Sequence, residues 1–290
     1  MDRRGFLFAL AAFGSWGVLP MYWRLLQGVP PFTVLAHRIL WTAVAATLVL
    51  AQRGALGDLA ALVRSRRSIV FGLVSTALIA TNWFMFIWGI HAGRTIECSL
   101  GYFLSPLVNV VLGLGILRER ISRPQALSVL LAGVGVASLA AGHGRIPWLG
   151  LTLAATFGLY GLLRKIAKFP SLAGLAFESL TLAPVAAFVV GDVPAEARTL
   201  GTGALLVASG IVTALPLLWF NEAAQRLPLT VLGLLQYLAP TLQFLVGVAV
   251  FREAFSREKF VAFACIWCGL ALYTGDALRA WHREKMPPPA

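Results

Sequence analysis

A chain of 290 residues with a net charge of +12 has the length of about two soluble domains, but 59% of its residues are hydrophobic and only 12% are charged, against about 25% charged in an ordinary soluble domain. A mean hydropathy of +0.80 excludes a soluble globular enzyme and makes a span of about 20 apolar residues the unit of length. The basic excess does not mark a nucleic-acid binder: the Lys and Arg residues form short clusters between apolar runs, not a continuous stripe, and read as topology signals.

The chain begins with Asp2-Arg3-Arg4 before GFLFALAAFGSWG. This looks like a secretory or twin-arginine leader, yet the apolar run continues to Leu26 without a small-x-small cleavage site, so an uncleaved first span is expected. Charged breaks then divide the sequence into ten apolar segments, over 5–26, 32–51, 69–90, 96–117 and 124–141, and over 148–166, 172–191, 203–223, 229–251 and 260–278. Each is continuously apolar with no period-two alternation, which predicts helices and not a barrel. With the N-terminus inside, sixteen Lys and Arg residues fall on the cytoplasmic side and seven outside, Arg38 lying within a span. Both termini are therefore expected in the cytoplasm.

The stretch 101–123, GYFLSPLVNVVLGLGILRERISR, returns 134 residues later. One register pairs Pro106 with Pro240, Gly113 with Gly247, Arg118 with Arg252, Glu119 with Glu253, Ser122 with Ser256 and Gly135 with Gly269. Tyr102 and Tyr237 stand one position out of that register, which predicts a local helix irregularity in one copy. Self-similarity at half the chain length in so apolar a sequence points to a transporter built by duplication. Five spans per half is an odd number, so the second half must enter the membrane upside down. The expected fold is an all-α integral membrane protein of ten transmembrane helices in two inverted five-helix repeats, 1–142 and 147–278, with a polar tail, 279–290.

Ionisable groups inside a span cost about 2.5 to 3.5 kcal/mol on insertion scales and so draw attention. Arg38 lies about two turns into the second span beside His37, and its counterpart in the seventh span is Glu178. Each is a candidate gate or solute contact, or is satisfied structurally by carbonyls, lipid or the other. His37 is a candidate proton shuttle, or a helix-to-helix hydrogen-bond donor. Glu97 reads as a cap of the fourth span. Asn82-Trp83 in the third span and Pro216 in the eighth share the 134-residue offset, and each either bends a helix around a cavity or serves packing. Asn109, Gln236 and Gln243 add amides. Trp16, Tyr22, Tyr102, Tyr160 and Tyr237 add aromatic faces with polar tips, and Pro106 and Pro240 shape paired kinks. Together these suit a cavity for a small amphipathic solute. Neither a metal cage nor a phosphate loop is present in the sequence, and no cofactor is implied. Cys265 and Cys268 form a C-x-x-C without a second pair or nearby histidine, and with Cys98 they read as small packing residues.

The runs WGVLPMYW (16–23), HRILW (37–41), NWFMFIW (82–88), ECSLGYFLSPLVN (97–109), YGLLRK (160–165) and QYLAPT (236–241) together resemble the EamA-type branch of the drug/metabolite transporter superfamily over essentially the whole chain. The resemblance implies ten helices in inverted five-helix repeats, cytoplasmic termini, and a bacterial inner-membrane location. Relatives export amino acids, metabolites or drugs, with chloramphenicol sensitivity associated with the RarD-like members. His91 stands where such relatives are expected to carry asparagine, and Glu222 where they carry a small residue.

The leading reading is thus a secondary transporter moving a small organic solute across the lipid bilayer by alternating access, with protons as a candidate coupling ion and no Walker motif to take ATP. Two readings compete with it. One is an intramembrane serine hydrolase built on Ser15 in FGSWG, which lacks the G-x-S-x-G spacing. The other is a non-transporting subunit of a larger complex, which would have a large exposed interface and no solvent-reaching cavity.

Overall fold

The computed structural model describes residues 2–116, 122–143, 146–167, 170–190, 194–227 and 235–285, and the regular structure among them is entirely helical. Helix α1 (Arg3–Leu25) starts at Asp2, whose carboxylate accepts from the backbone N–H groups of Arg4 and Gly5. Such a cap satisfies donors that a helix start leaves without partners. Helix α2 (Pro31–Gln52) opens with Pro31 at its first turn, where the ring costs no hydrogen bond. The short α3 (Leu56–Arg64) follows, and α4 (Arg66–His91) is capped by the Ser65 hydroxyl. Next come α5 (Thr95–Gly115), α6 (Arg123–His143), α7 (Trp148–Ala167) and α8 (Ser171–Val189). A 3₁₀ turn at Ala195–Ala197 precedes α9 (Leu200–Arg226), which runs unbroken through Pro216. Last are α10 (Leu238–Leu245), prolonged by a π turn at Val246–Val250, and α11 (Arg257–Lys285).

Four helical stretches among the described residues are long and apolar enough to cross a membrane: Arg3–Leu25, Pro31–Gln52, Arg66–His91 and Leu200–Phe220. Polar and apolar groups are distributed as lipid requires. Leu7, Leu48, Val185, Phe188 and Ile211 point outward, while Ser75, Thr76, Asn82, Glu178 and Ser209 are buried, because polar atoms have no water to bond in hydrocarbon.

Two features differ from a plain reading of ten spans and loops. The basic stretch after α2 folds into α3, whose Leu62 is buried while Asp58 and Arg64 take its ends. Second, the out-of-register tyrosine has a structural counterpart in the second copy: Tyr237 sits in a turn immediately before α10, and the π turn follows Leu245. The chain leaves that π turn through Arg252, at φ 53 the one non-glycine residue with positive φ among the described residues.

Helix contacts come in pairs that exchange when the two halves are exchanged. Helix α1 packs on α9 and α4 on α7; α5 packs on α7 and α1 on α10; α2 packs on α9 and α4 on α8. Helices α2 with α8, α5 with α10 and α6 with α11 meet their own equivalents. Lipid is as apolar as leucine, so close approach and not water exclusion holds such contacts, and small residues set them. Gly72 on α4 lies directly against the Phe177 ring on α8, and Gly210 on α9 lies directly against the Trp41 backbone on α2. In the α6–α11 crossing, a Cβ on Gly135 would lie 2.9 Å from the Ala262 carbonyl oxygen, and one on Gly269 2.9 Å from that of Ser128. The largest buried cluster includes Trp23, Leu35, Ile39, Trp83, Phe86, Leu153 and Phe177. A second gathers Phe103, Phe244, Phe263 and Ile266, with the Phe244 and Phe263 rings 4.7 Å apart.

Candidate functional site

Arg38 and Glu178 are the charged side chains that the described residues bury, at 7% and 1% exposure. They are not each other's partners. Glu178, on α8, accepts hydrogen bonds from the Ser75 hydroxyl on α4 at 2.8 Å and the Tyr160 hydroxyl on α7 at 3.2 Å, and pairs with Arg164 on α7 at 3.4 Å. Tyr160 and Arg164 are four residues apart, which places both on one face of α7. Three helices thus converge on one carboxylate, and with both oxygens bonded and a guanidinium beside it the charge is compensated.

Arg38, on α2, has no such partner among the described residues. Its Cζ lies 4.1 Å from the centroid of the Trp83 ring and 5.2 Å from that of Trp23. Cation–π attraction is worth about 0.5 to 2 kcal/mol per ring depending on desolvation, so two rings offset most of the insertion cost of the charge. Ring faces do not accept the guanidinium N–H bonds in its plane, and Arg38 Nε is buried with no hydrogen-bond partner among the described residues.

Asn82 precedes Trp83 on α4 and ties this niche to α5 and α7. Its Nδ2 donates to the Leu153 carbonyl and the Thr156 hydroxyl, both at 3.0 Å, and its Oδ1 accepts from the Tyr102 hydroxyl at 3.2 Å. Tyr102 meets Phe157 edge-on at 5.9 Å, and Phe157 meets Tyr160 at 6.3 Å. A line of aromatic and amide contacts therefore runs from the niche of Arg38 and Trp83 to the Glu178 cluster.

The remaining candidates lie apart. His37, next to Arg38 on α2, points elsewhere: its Nε2 is 3.2 Å from the Val190 carbonyl, and it lines an outer groove of about 520 Å³ between α2 and α8 with Leu40, Trp41, Val44 and Leu180. The Tyr22 hydroxyl donates to the Leu205 carbonyl, joining α1 to α9. Trp16 packs against Phe13 and Phe220, and its carbonyl accepts from Gln243 Nε2 at 3.1 Å. Pro216 is buried within α9. Gln236 is half-buried, the Tyr237 hydroxyl is buried without a partner among the described residues, and the Pro240 carbonyl accepts from the Ser99 hydroxyl at 3.0 Å. The side chains of Pro106 and Asn109 lie outside the described residues, as do Arg118, Glu119 and Arg120. Ser15 donates to the Ala11 carbonyl of its own helix at 2.6 Å.

Sequence reasoning missed Trp23, Ser75, Thr156 and Arg164. By composition Arg164 reads as one of the sixteen cytoplasmic Lys and Arg residues, although the four-residue spacing from Tyr160 marks it as able to reach back into the span. Glu97 caps a helix, but not its own: it accepts from the Leu149 N–H at the start of α7 at 3.2 Å while pairing with Arg94. Glu253 does the same for α5, accepting from the N–H groups of Thr95 at 2.7 Å and Ile96 at 3.0 Å. His91 Nε2 lies 3.1 Å from the Trp23 carbonyl, and Glu222 pairs with Arg226 at 3.0 Å. Cys98 is buried against Gly89, and Cys265 sits at the Gly135 crossing. No group of three or more His, Cys, Asp or Glu converges among the described residues.

The sequence model of the EamA-like transporter family matches this chain twice, over residues 3–141 and 145–275. The uncharacterized transporter YojE of Bacillus subtilis is 40% identical, covering 98% of this chain and 97% of its own. The protein RarD of Streptomyces exfoliatus is 38% identical (98% and 92%), and that of Escherichia coli 39% identical (98% of each). A solved structure described only as the crystal structure of a protein superposes with a TM-score of 0.63 at 20% identity over 96% of this chain and 99% of its own, which bears on the fold alone. With both halves matched and full-length relatives named as transporters, the chain belongs to the EamA-like transporter family and is a multi-pass membrane transporter.

Proposed function

We propose that the protein is a secondary transporter, working as an exporter, that carries a small organic solute, a metabolite or drug, across the bacterial inner membrane by alternating access between two inverted five-helix halves, 1–142 and 147–278. The observation that carries this reading is the α6–α11 crossing. Gly135 approaches Ala262 while Gly269 approaches Ser128, and the 134-residue offset makes Ala262 the equivalent of Ser128. Two equivalent helices running in parallel would meet at equivalent residues. Here each meets the other seven residues away, about 10.5 Å along a helix, and both contacts close only if the helices run antiparallel. A two-fold axis perpendicular to membrane-crossing helices lies in the membrane plane, which is the symmetry of an inverted repeat. The exchange of packing partners between halves supports the same symmetry, since two such arrangements of nearly equal energy give inward- and outward-open states.

The path runs past the Arg38 niche, Asn82, Tyr102 and Tyr160 to Glu178, and the candidates Trp16 and Tyr22 of the first half and Gln236, Tyr237 and Pro240 of the second are assigned to its other flank. Glu178 and His37 are the groups offered for proton coupling, and the termini and the tail 279–290 are assigned to the cytoplasm by the positive charge of their loops. Counterflow in proteoliposomes loaded with amino acids, organic acids or chloramphenicol, with and without a pH gradient, tests the function. Protein-dependent exchange that Glu178→Gln abolishes is expected. Fluxes equal to those of protein-free liposomes across the set would contradict it.

A further inference from the structure

The niche around Arg38 contains hydrogen-bond donors without acceptors. Arg38 Nε, Trp23 Nε1 and Thr42 Oγ1 are all buried with no hydrogen-bond partner among the described residues. Trp23 is fully buried and its ring flanks the guanidinium. Thr42 is also fully buried and stands one turn beyond Arg38, on the same face of α2. Buried donors are nearly always bonded, and those that are not call for an explanation. The tryptophan faces that hold the charge of Arg38 leave its in-plane Nε–H unsatisfied, and a guanidinium edge is matched by a planar, two-oxygen acceptor.

We propose that this niche binds the carboxylate of the transported solute, and that the solute is a small organic monoacid rather than a neutral drug or an α-amino acid. This rests on the transporter reading above. Single negative charge follows from the single buried cation: a dianionic phosphate would bring a second charge with no second buried guanidinium or ammonium to meet it among the described residues. Absence of an ammonium follows from Glu178, the other buried charge, whose oxygens are already taken by Ser75, Tyr160 and Arg164. The flanking indoles suit an apolar or aromatic body behind the carboxylate.

The test uses the purified full-length chain and matched probes: 3-phenylpropanoate, indole-3-propanoate and 4-methylpentanoate, their amides, and phenylalanine, tryptophan and leucine. Thermal stabilisation reads binding, and flux in proteoliposomes, corrected for protein-free liposomes, reads transport. The acids should stabilise the wild-type protein and the amides should not. Arg38→Gln should weaken acid binding at least about ten-fold, the loss of a charge-assisted hydrogen-bond pair, and Arg38→Lys should keep part of the preference for acid over amide. That preference is a readout that a merely structural arginine would not move. Amides binding as well as acids, unchanged acid binding in Arg38→Gln, or no acid shifting the wild type would overturn the assignment. Amino acids binding as tightly as the acids would overturn the exclusion of an ammonium. Acids that bind wild type but not Arg38→Gln, yet cross no faster than through bare liposomes, would leave the site standing and sink transport. Protein-dependent flux of an amide with no acid binding would do the reverse.

Discussion

Gly135 and Gly269 occupy the same position in the α6–α11 crossing seen from its two ends, each leaving 2.9 Å between a would-be Cβ and a carbonyl oxygen of the facing helix. Backbone on both sides makes relief by a side-chain rotation impossible. Gly135→Ala and Gly269→Ala should each destabilise by about 1 to 3 kcal/mol, the usual cost of overpacking, and by matching amounts. Gly133→Ala, where a Cβ meets open space, should be neutral or slightly stabilising. Thermal unfolding in detergent measures all three.

The two carboxylates that cap neighbouring helices make a second prediction. Glu253 meets the first N–H groups of α5, where the helix dipole favours negative charge. Glu253→Ala should cost about 1 kcal/mol or somewhat more and raise hydrogen exchange at the Thr95 and Ile96 amides. Glu97→Ala should do so at Leu149, leaving Thr95 unchanged.

Around Glu178, the sign of the effect depends on which partner is removed. Arg164→Leu leaves a buried carboxylate without its cation and should cost about 3 kcal/mol, the lower end for a broken buried pair, because the Arg164 side chain keeps 15% exposure. Glu178→Gln retains acceptors or donors for Ser75 and Tyr160 and should fold with a smaller loss. The double variant Arg164→Leu with Glu178→Leu should be more stable than Arg164→Leu alone. A double-mutant cycle on thermal midpoints reads this coupling.

The all-helical, membrane-spanning character of the chain, and the unusual status of Arg38 and Glu178, were legible in the sequence because apolar length and misplaced charge are local signals. Partnership was not. Nothing in the spacing tells that Glu178 chooses Arg164 over Arg38, since that choice depends on how α4, α7 and α8 pack. The cage for Arg38 combines Trp83, singled out beside Asn82, with Trp23, which reads as one more aromatic among nine tryptophans until α1 is laid against α4. Likewise Glu97 announced itself as a cap, but capping a different helix is a tertiary fact. The out-of-register tyrosines do point to a local irregularity in one copy: three residues separate Tyr102 from Pro106 but two separate Tyr237 from Pro240, and Tyr237 sits in a turn.

Sidedness tests the central claim most directly. Arg123 and Arg257 are exposed, open equivalent helices α6 and α11, and differ by the repeat offset of 134. In a background with Cys98, Cys265 and Cys268 replaced, Arg123→Cys and Arg257→Cys would be exposed in intact cells to a membrane-impermeant maleimide. Inverted halves predict that the cysteine at 257 reacts from outside while the one at 123 reacts only after the membrane is opened. Labelling of both positions from the same side would contradict the account.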